Sequence, residues 1–450
     1  MAVVAPFRAL RYNPNPVGDL GRVITPPYDI ISPAEQEAFY ALHPYNVIRL
    51  ELGKTTAEDT EENNAHTRAA RYLAQWRRDG VLIREAQPAF FPYELDYPMG
   101  EGRKTRKGFF GLLRLEEFGA GCVRPHERTF QKVKDERLAL MVRCRAHLSP
   151  IFVLFSDPEG RVCDVLFDRS GREQVAQCAD TRGGEHRLYR VTDPGRVRRV
   201  HELMVGKDIF IADGHHRYET ALNYRRLQMQ QNPDAPKEAP FHYVLTYFCP
   251  MEDDGLVVLP THRLLPRVAF SPAKEFLDKG RPFFQALSFP MSDAGRSAWT
   301  ASLETFRARR ETAIGFVHKG GEVFWVLKME PSATRAFLAE KGFPNVLQDL
   351  DVVVVDHLLL RGLLGLDDTY LSDAENIRFC HDRDEALHAV LHGDAALGFF
   401  VNPTRVDQVR DVARAGLIMP HKATYFYPKV FSGLVMHPMD PEDVVTIPTL

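Results

Sequence analysis

The chain lacks any C-x-x-C pair. Its six cysteines, Cys122, Cys144, Cys163, Cys178, Cys249 and Cys380, are scattered over 450 residues. That spacing excludes a zinc ribbon or a redox pair and fits a reducing compartment. Long apolar runs are also missing. Residues 352–355 and 358–360 are separated by Asp356 and His357, so no membrane span is expected. The opening MAVVAPFRALRY has no basic stretch ahead of a long apolar one, so no signal peptide is expected and the expected location is cytoplasmic. Nor is positive charge in excess. A formal net charge of −3 argues against a protein that coats nucleic acid, while leaving room for a local basic site. No internal repeat or low-complexity stretch occurs.

What is present is an ordinary globular balance, 44% hydrophobic and 26% charged. At this length two or three domains are expected. Proline-punctuated loops at 14–20 and 25–33 open the chain. Ser32-Pro33 predicts a capped helix with proline in its first turn, and residues 56–78 predict a longer charged helix. A hairpin is expected from 89–97 and 105–115 around PMGEGRK. Residues 123–141 read as a loop running into a basic helix, 151–156 and 186–191 as strands, and 256–265 as one strand. From about residue 268 helices and strands alternate. These patterns predict an α/β or mixed α+β fold with three regions: 1–89, mixed helix and loop; 90–268, a core; and 269–450, an α/β C-terminal domain.

Residues 209–221, IFIADGHHRYETA, are the most informative stretch. An apolar strand ends at Asp213-Gly214. A helix follows, with Tyr218, Ala221, Leu222 and Met229 predicted on one face. Its first turn holds His215, His216 and Arg217. A helix N-terminus already presents free N–H groups and partial positive charge, so these side chains are out of place unless an anion sits there. A phosphate fits: amides of Gly214, His215, His216 and Arg217 and the Arg217 guanidinium would bind its oxygens, and His216 would donate to them. A plain capped helix, with Asp213 as cap and Gly214 as the turn residue, is the bland alternative. Residues 183–187, GGEHR, precede a strand and fail the strand–turn–helix criterion.

Two further clusters carry chemistry. In PHERT, His126, Glu127 and Arg128 combine a carboxylate able to take a hydroxyl proton with cations able to offset phosphate charge. Lys132, Lys134 and Arg137 beyond them read as a solvated basic face. In MPHKATYFYPK, residues 419–429, Lys422 and Thr424 are phosphate-binding candidates, against a reading as an aromatic packing loop. Lesser candidates are 26–29, 45–49 and 260–263. A metal site pairing His215 and His216 with His126 or His262 has poor geometry, because adjacent histidines on a helix do not share a face; metal ligands stay unassigned.

GHHRYETA resembles the nucleotide-binding turn of the ParB/sulfiredoxin superfamily, which is G-E-R-R-like in ParB proteins and G-C-H-R followed by Tyr in sulfiredoxins. His215 stands where sulfiredoxins have their catalytic cysteine, so the resemblance implies nucleotide binding without that redox chemistry. Residues 213–217, DGHHR, also look like the turn of the archaeal free-serine kinases, which share this fold and phosphorylate the hydroxyl of L-serine. Over nearly the full length, PFRALRYNP, TPPYDIISP, YNVIRLEL, PHERT, IADGHHRYETALNY, VVLPTHRL and MPHKATYFYPK resemble the landmarks of domain of unknown function family 1015, whose members often lie beside serine-biosynthesis genes.

Together these readings lead to a ParB/sulfiredoxin-like core at 90–268. The leading expectation is a phosphotransferase that uses ATP or ADP with Mg²⁺ on a small hydroxylated metabolite, free L-serine first. Asp213 or Glu127 would activate the hydroxyl, and His216 would take part in catalysis. One alternative is a phosphatase, with His216 or Asp213 as acid–base or nucleophile. Another is a non-enzymatic ParB-like nucleotide switch acting on DNA, disfavoured by the net charge. The oligomeric state is left open.

Overall fold

The computed structural model describes residues 2–268, 273–373 and 375–449. Its backbone contacts divide the chain into two units, Met1–Val257 with Pro428–Leu450, and Val258–Tyr427. The boundary expected at 268/269 falls where residue 269 lies outside the described residues. The boundary expected near residue 90 is bridged by pairing, because the first strand joins the main sheet.

In the first unit nine of the described strands form one mixed sheet. In chain order they are β1 (Val4–Ala5), β2 (Phe91–Met99), β3 (Gly102–Arg114), β4 (Val123–Arg124), β5 (Ile151–Phe155), β6 (Glu173–Ala179), β7 (Glu185–Arg190), β8 (Ile209–Asp213) and β9 (Tyr243–Pro250). They lie in the order β4-β8-β5-β9-β3-β2-β7-β6, with β1 also paired to β3. The expected hairpin is β2–β3, in register from Phe91 opposite Phe110 to Met99 opposite Gly102. The rejected GGEHR stretch turns into β7, a strand, as its pattern requires.

The helices of this unit include α1 (Pro33–Leu42), α2 (Ala65–Arg78), α3 (Gln131–Cys144), α4 (Pro194–Met204) and α5 (His215–Gln231). Ser32 caps α1 in a reciprocal box with Glu35, an arrangement that stabilises a helix by about 1 kcal/mol. The charged helix expected over 56–78 starts only at Ala65, because Asn64 caps it and accepts from His66 and Thr67. On α5, Tyr218, Ala221 and Leu222 are buried as predicted, but Met229 is 49% exposed. The helix projects past the core by its last turns, so the apolar face ends early.

β8 reads as a continuous apolar run because both faces are covered. Ile209 and Ile211 join Val153, Phe155, Phe248 and Tyr218 in one core cluster. Each such side chain contributes roughly 1.5–3 kcal/mol by leaving water. The C-terminal segment returns to this unit: Thr25 bridges Ser432, Leu10 bridges Met436, and His437 pairs with His147.

The second unit holds β10 (His262–Leu265), β11 (Phe284–Pro290), β12 (Ala313–His318), β13 (Val323–Met329), β14 (Arg378–Cys380) and β15 (Leu397–Phe400), in the order β11-β13-β12-β15-β10-β14. Trp299, on the helix α6 (Asp293–Ala308), is fully buried against Phe324 and Phe400. The single strand expected over 256–265 is broken at Pro260-Thr261, since proline cannot donate within a ladder. No helix among the described residues is long and apolar enough to cross a membrane.

Candidate functional site

The strand–turn–helix predicted at 209–217 is present. β8 pairs with β5 antiparallel, but the register shifts between Ile211 and Asp213. The extra residue, Ala212, makes a bulge that re-aims Asp213 at the strand end. Gly214 then turns the chain at φ +90°, a left-handed conformation that favours glycine, and α5 begins with no side-chain cap. A Cβ at Gly214 would lie 3.0 Å from Arg217 Nε.

β4 runs parallel to β8, with Val123 beside Ile209. Two parallel neighbours therefore end side by side, and the loops leaving their carboxyl ends meet. This is where open α/β sheets place ligands. So PHERT is brought to DGHHR. The backbone N–H of His126 donates to Nε2 of His215 at 3.2 Å, and the two rings meet edge to face at 4.8 Å. Glu127 lies 3.6 Å from His215 Nδ1 and 3.9 Å from His126 Nε2. The N–H of Phe130 donates to Nε2 of His216 at 2.9 Å. Phe130, itself 54% exposed, stacks on that ring. Arg128 is exposed.

The charge at the helix start has a local resolution. Burial drives His126 down to about 4 and His215 well below its ordinary range, so both rings are neutral at pH 7. His215 accepts at Nε2, which leaves its proton on Nδ1, facing Glu127. His216 is also lowered, by burial first, although Asp29 and Glu219 oppose the shift. Arg217, expected to contact phosphate, donates instead to the Pro150 carbonyl and to Asp213. Burial alone would raise the Asp213 carboxyl; the charges of Lys429 and Arg217 outweigh it and hold the group at about 2. His216 likewise accepts from a backbone amide through Nε2 rather than donating to a ligand there.

Lys429, whose ammonium donates to Asp213, is the residue sequence reasoning missed. Lys422 and Thr424, chosen from the same stretch, belong to the second unit. Lys422 is exposed there at φ +57°, and Thr424 is buried. Arg137, expected on a solvated face, is 5% exposed and pairs with Glu51, with its guanidinium 4.1 Å over the Tyr28 ring. Lys134 pairs with Glu219 at 2.7 Å. The lesser candidate TPPYD thus reaches the site: Asp29 acts on the charge of both His216 and Arg217. A cavity of about 40 Å³ opens between Tyr28, Glu51, Arg137, Arg217 and Thr220. The Thr220 hydroxyl is fully buried with no hydrogen-bond partner among the described residues.

One layer behind, Arg106 is completely buried with no carboxylate paired to it among the described residues. It donates to the carbonyl of Pro428, next to Lys429, and lies 4.8 Å over Phe152, the register partner of Asp213. Arg106, Arg137, Arg217 and Lys429, all at most 9% exposed, thus share two carboxylates at comparable depth, Asp213 and Glu51. The other acidic groups nearby, Glu127, Asp29 and Glu136, are more exposed.

The family model described as a protein of unknown function, DUF1015, matches residues 4–353. The chain belongs to this family. No curated protein matches this DUF1015 member. Solved structures similar to it include a free serine kinase in complex with AMP, at 12% identity and TM-score 0.31, covering 72% of this chain and 88% of that one. SbnI with a C-terminal truncation, from Staphylococcus aureus, is similar at 10% identity and TM-score 0.33, over 72% and 86%. A conserved hypothetical protein from Pyrococcus furiosus is similar at 11% identity and TM-score 0.31, over 69% and 89%. Likenesses at this level say nothing about what the DUF1015 chain binds.

Proposed function

We propose that this DUF1015 protein is a cytoplasmic phosphotransferase. It would move a phosphoryl group from ATP or ADP to a small hydroxylated metabolite, with free L-serine as the first choice. The observation that carries the reading is the buried charge: four buried cations engage Asp213, Glu51 and the more exposed Glu136, under a helix start whose first turn has no side-chain cap. Buried charges need counter-charges, and a phosphate chain supplies them at a helix N-terminus. The resemblance of DGHHR to the free-serine kinase turn supports the same reading. Phe130 offers an exposed aromatic face beside the turn, suited to a purine base.

The roles sort by geometry. Asp213, expected as a base, does not fit that role, because two cations already engage it and its proton affinity is low. It holds Lys429 and Arg217 in place. Glu127 is the base: partly exposed and beside two neutral histidines. It takes the proton as the hydroxyl oxygen attacks the terminal phosphorus. The bond from that phosphorus to the bridging oxygen breaks, and the shortened nucleotide leaves with the electron pair. Amides of Gly214, His215 and His216, with Arg128 at the rim, bind the phosphates. Mg²⁺ enters with the nucleotide as part of the substrate, held mainly by phosphate oxygens and water. The test is ³¹P NMR of purified protein with L-serine, Mg²⁺ and ATP or ADP. O-phosphoserine is the expected product. No phosphorylated product with any nucleoside di- or triphosphate overturns the proposal, and phosphate release from O-phosphoserine without nucleotide replaces it with a phosphatase.

A further inference from the structure

The second unit contains a cavity of about 100 Å³ away from its hydrophobic core. It is lined by the end of α6, by the start of the helix at Asp351–Val353, and by residues 402–408. Its charges are almost all matched. Asp349 receives two hydrogen bonds from Arg335, at 2.9 and 2.8 Å. Asp407 lies between Arg405 at 3.0 Å and Arg310 at 3.6 Å. Glu311 has Lys328 at 3.5 Å. Two groups on the wall are left over. Asp351 is partly buried and accepts the Asn402 N–H at 3.0 Å, but no cation pairs with it among the described residues. Burial pushes its carboxyl up to about 7, against the pull of the Asn402 hydrogen bonds and the Arg405 charge. Arg307, at the end of α6, has no carboxylate within salt-bridge distance among the described residues.

A carboxyl and a guanidinium, neither ion-paired among the described residues, thus face one small polar cavity. Burial of Asp351 favours pairing it with a protein group, as the other charges on the wall are paired, while Arg307 reaches the cavity from the exposed end of α6. Backbone geometry adds to the oddity: Arg310, also on the cavity wall, sits at φ +59°, unusual for a residue with a side chain. A ligand with both charges close together satisfies both walls at once. The volume holds a few water-sized groups, not a nucleotide.

The geometry points to a binding site in the second unit for a small zwitterionic α-amino acid, its ammonium on Asp351 and its carboxylate on Arg307, with Arg405 and Arg310 framing the carboxylate. The site is independent of the phosphotransferase reading, since it needs no hydroxyl on the ligand.

The test is calorimetric titration of the full chain with glycine, L-alanine, L-serine and L-aspartate, and with ethylamine and propionate as single-charge controls. At least one amino acid should bind, and neither control should. Asp351→Asn and Arg307→Ala should each weaken that binding roughly tenfold or more, the cost of one charge-assisted contact. Arg307 is exposed, so its variant folds even where Asp351→Asn does not, and thermal melting checks both. Using L-alanine as the probe keeps the result separate from any phosphoryl acceptor. No binding by any amino acid, equal binding in the Arg307→Ala variant, or propionate binding as well as L-alanine overturns the inference.

Discussion

Replacing Asp213 with Asn tests the electrostatic core of the candidate site. In the folded chain this carboxyl sits at about 2, against an ordinary value of 3.8, and its side chain is 11% exposed. That shift corresponds to about 2 kcal/mol of stability. The sign follows from the depressed value: the contribution is complete above the unfolded-state pKa and is lost as pH falls toward the folded one. By about pH 3 roughly 1 kcal/mol of it is gone. Asp213→Asn removes the titration and leaves Lys429 and Arg217 without their shared anion, so it also costs about 3–5 kcal/mol at neutral pH. The assay is urea unfolding of both proteins at about pH 6 and about pH 3. The wild type should lose about 1 kcal/mol more than the variant between these conditions. Equal losses, or a variant as stable as the wild type at pH 6, refute the claim that a clamped, ionised Asp213 organises the turn.

Gly214→Ala forces a side chain into the left-handed region and against Arg217; a loss of about 1–2 kcal/mol in thermal unfolding is expected, together with weaker nucleotide binding by calorimetry. Arg106→Met removes a buried cation with no paired carboxylate among the described residues, so stability should change by less than about 1 kcal/mol, while affinity for a triphosphate falls; a large stability loss with intact nucleotide binding would make Arg106 purely structural. Burial holds His126 and His147 at about 4. Their contribution is present above the unfolded-state value of 6.5 and is lost as pH falls toward 4, about 2 kcal/mol each by pH 5; His126→Gln should reduce the pH slope of stability in that window by about one proton.

The turn itself was legible because it is local. An apolar run, Asp-Gly and a helical period specify strand, turn and helix within a few residues, and the structure has them at the expected positions. The reading of its charge was not legible, because it depends on burial and distant partners. Neutral histidines and an Arg217 turned onto Asp213 at i+4 spacing resolve much of what looked like an anion requirement, and Arg106, with no carboxylate paired to it among the described residues, lies deeper. Lys429 pairs across 216 residues with Asp213, and no spacing rule reports such a contact. The signal available was Pro428, which ends the aromatic strand Tyr425–Tyr427 just before the lysine. Arg137 looked solvated because its helix is highly charged; its one buried face is visible only once Glu51 and Tyr28 are in place. The meeting of PHERT with DGHHR follows from β4 lying parallel to β8, a pairing of strands with three other strands of the sheet between them in sequence.

The proposed phosphotransferase activity rests on Glu127 as a base beside a phosphate-binding turn. The most direct measurement compares wild type and Glu127→Gln for two quantities at once, nucleotide affinity by calorimetry and the rate of serine phosphorylation by ³¹P NMR. The expected result is a rate lowered by about 10²–10⁴-fold with nucleotide affinity changed by no more than a few-fold. A variant that phosphorylates serine at the wild-type rate, or a wild-type protein that binds no nucleotide, contradicts it.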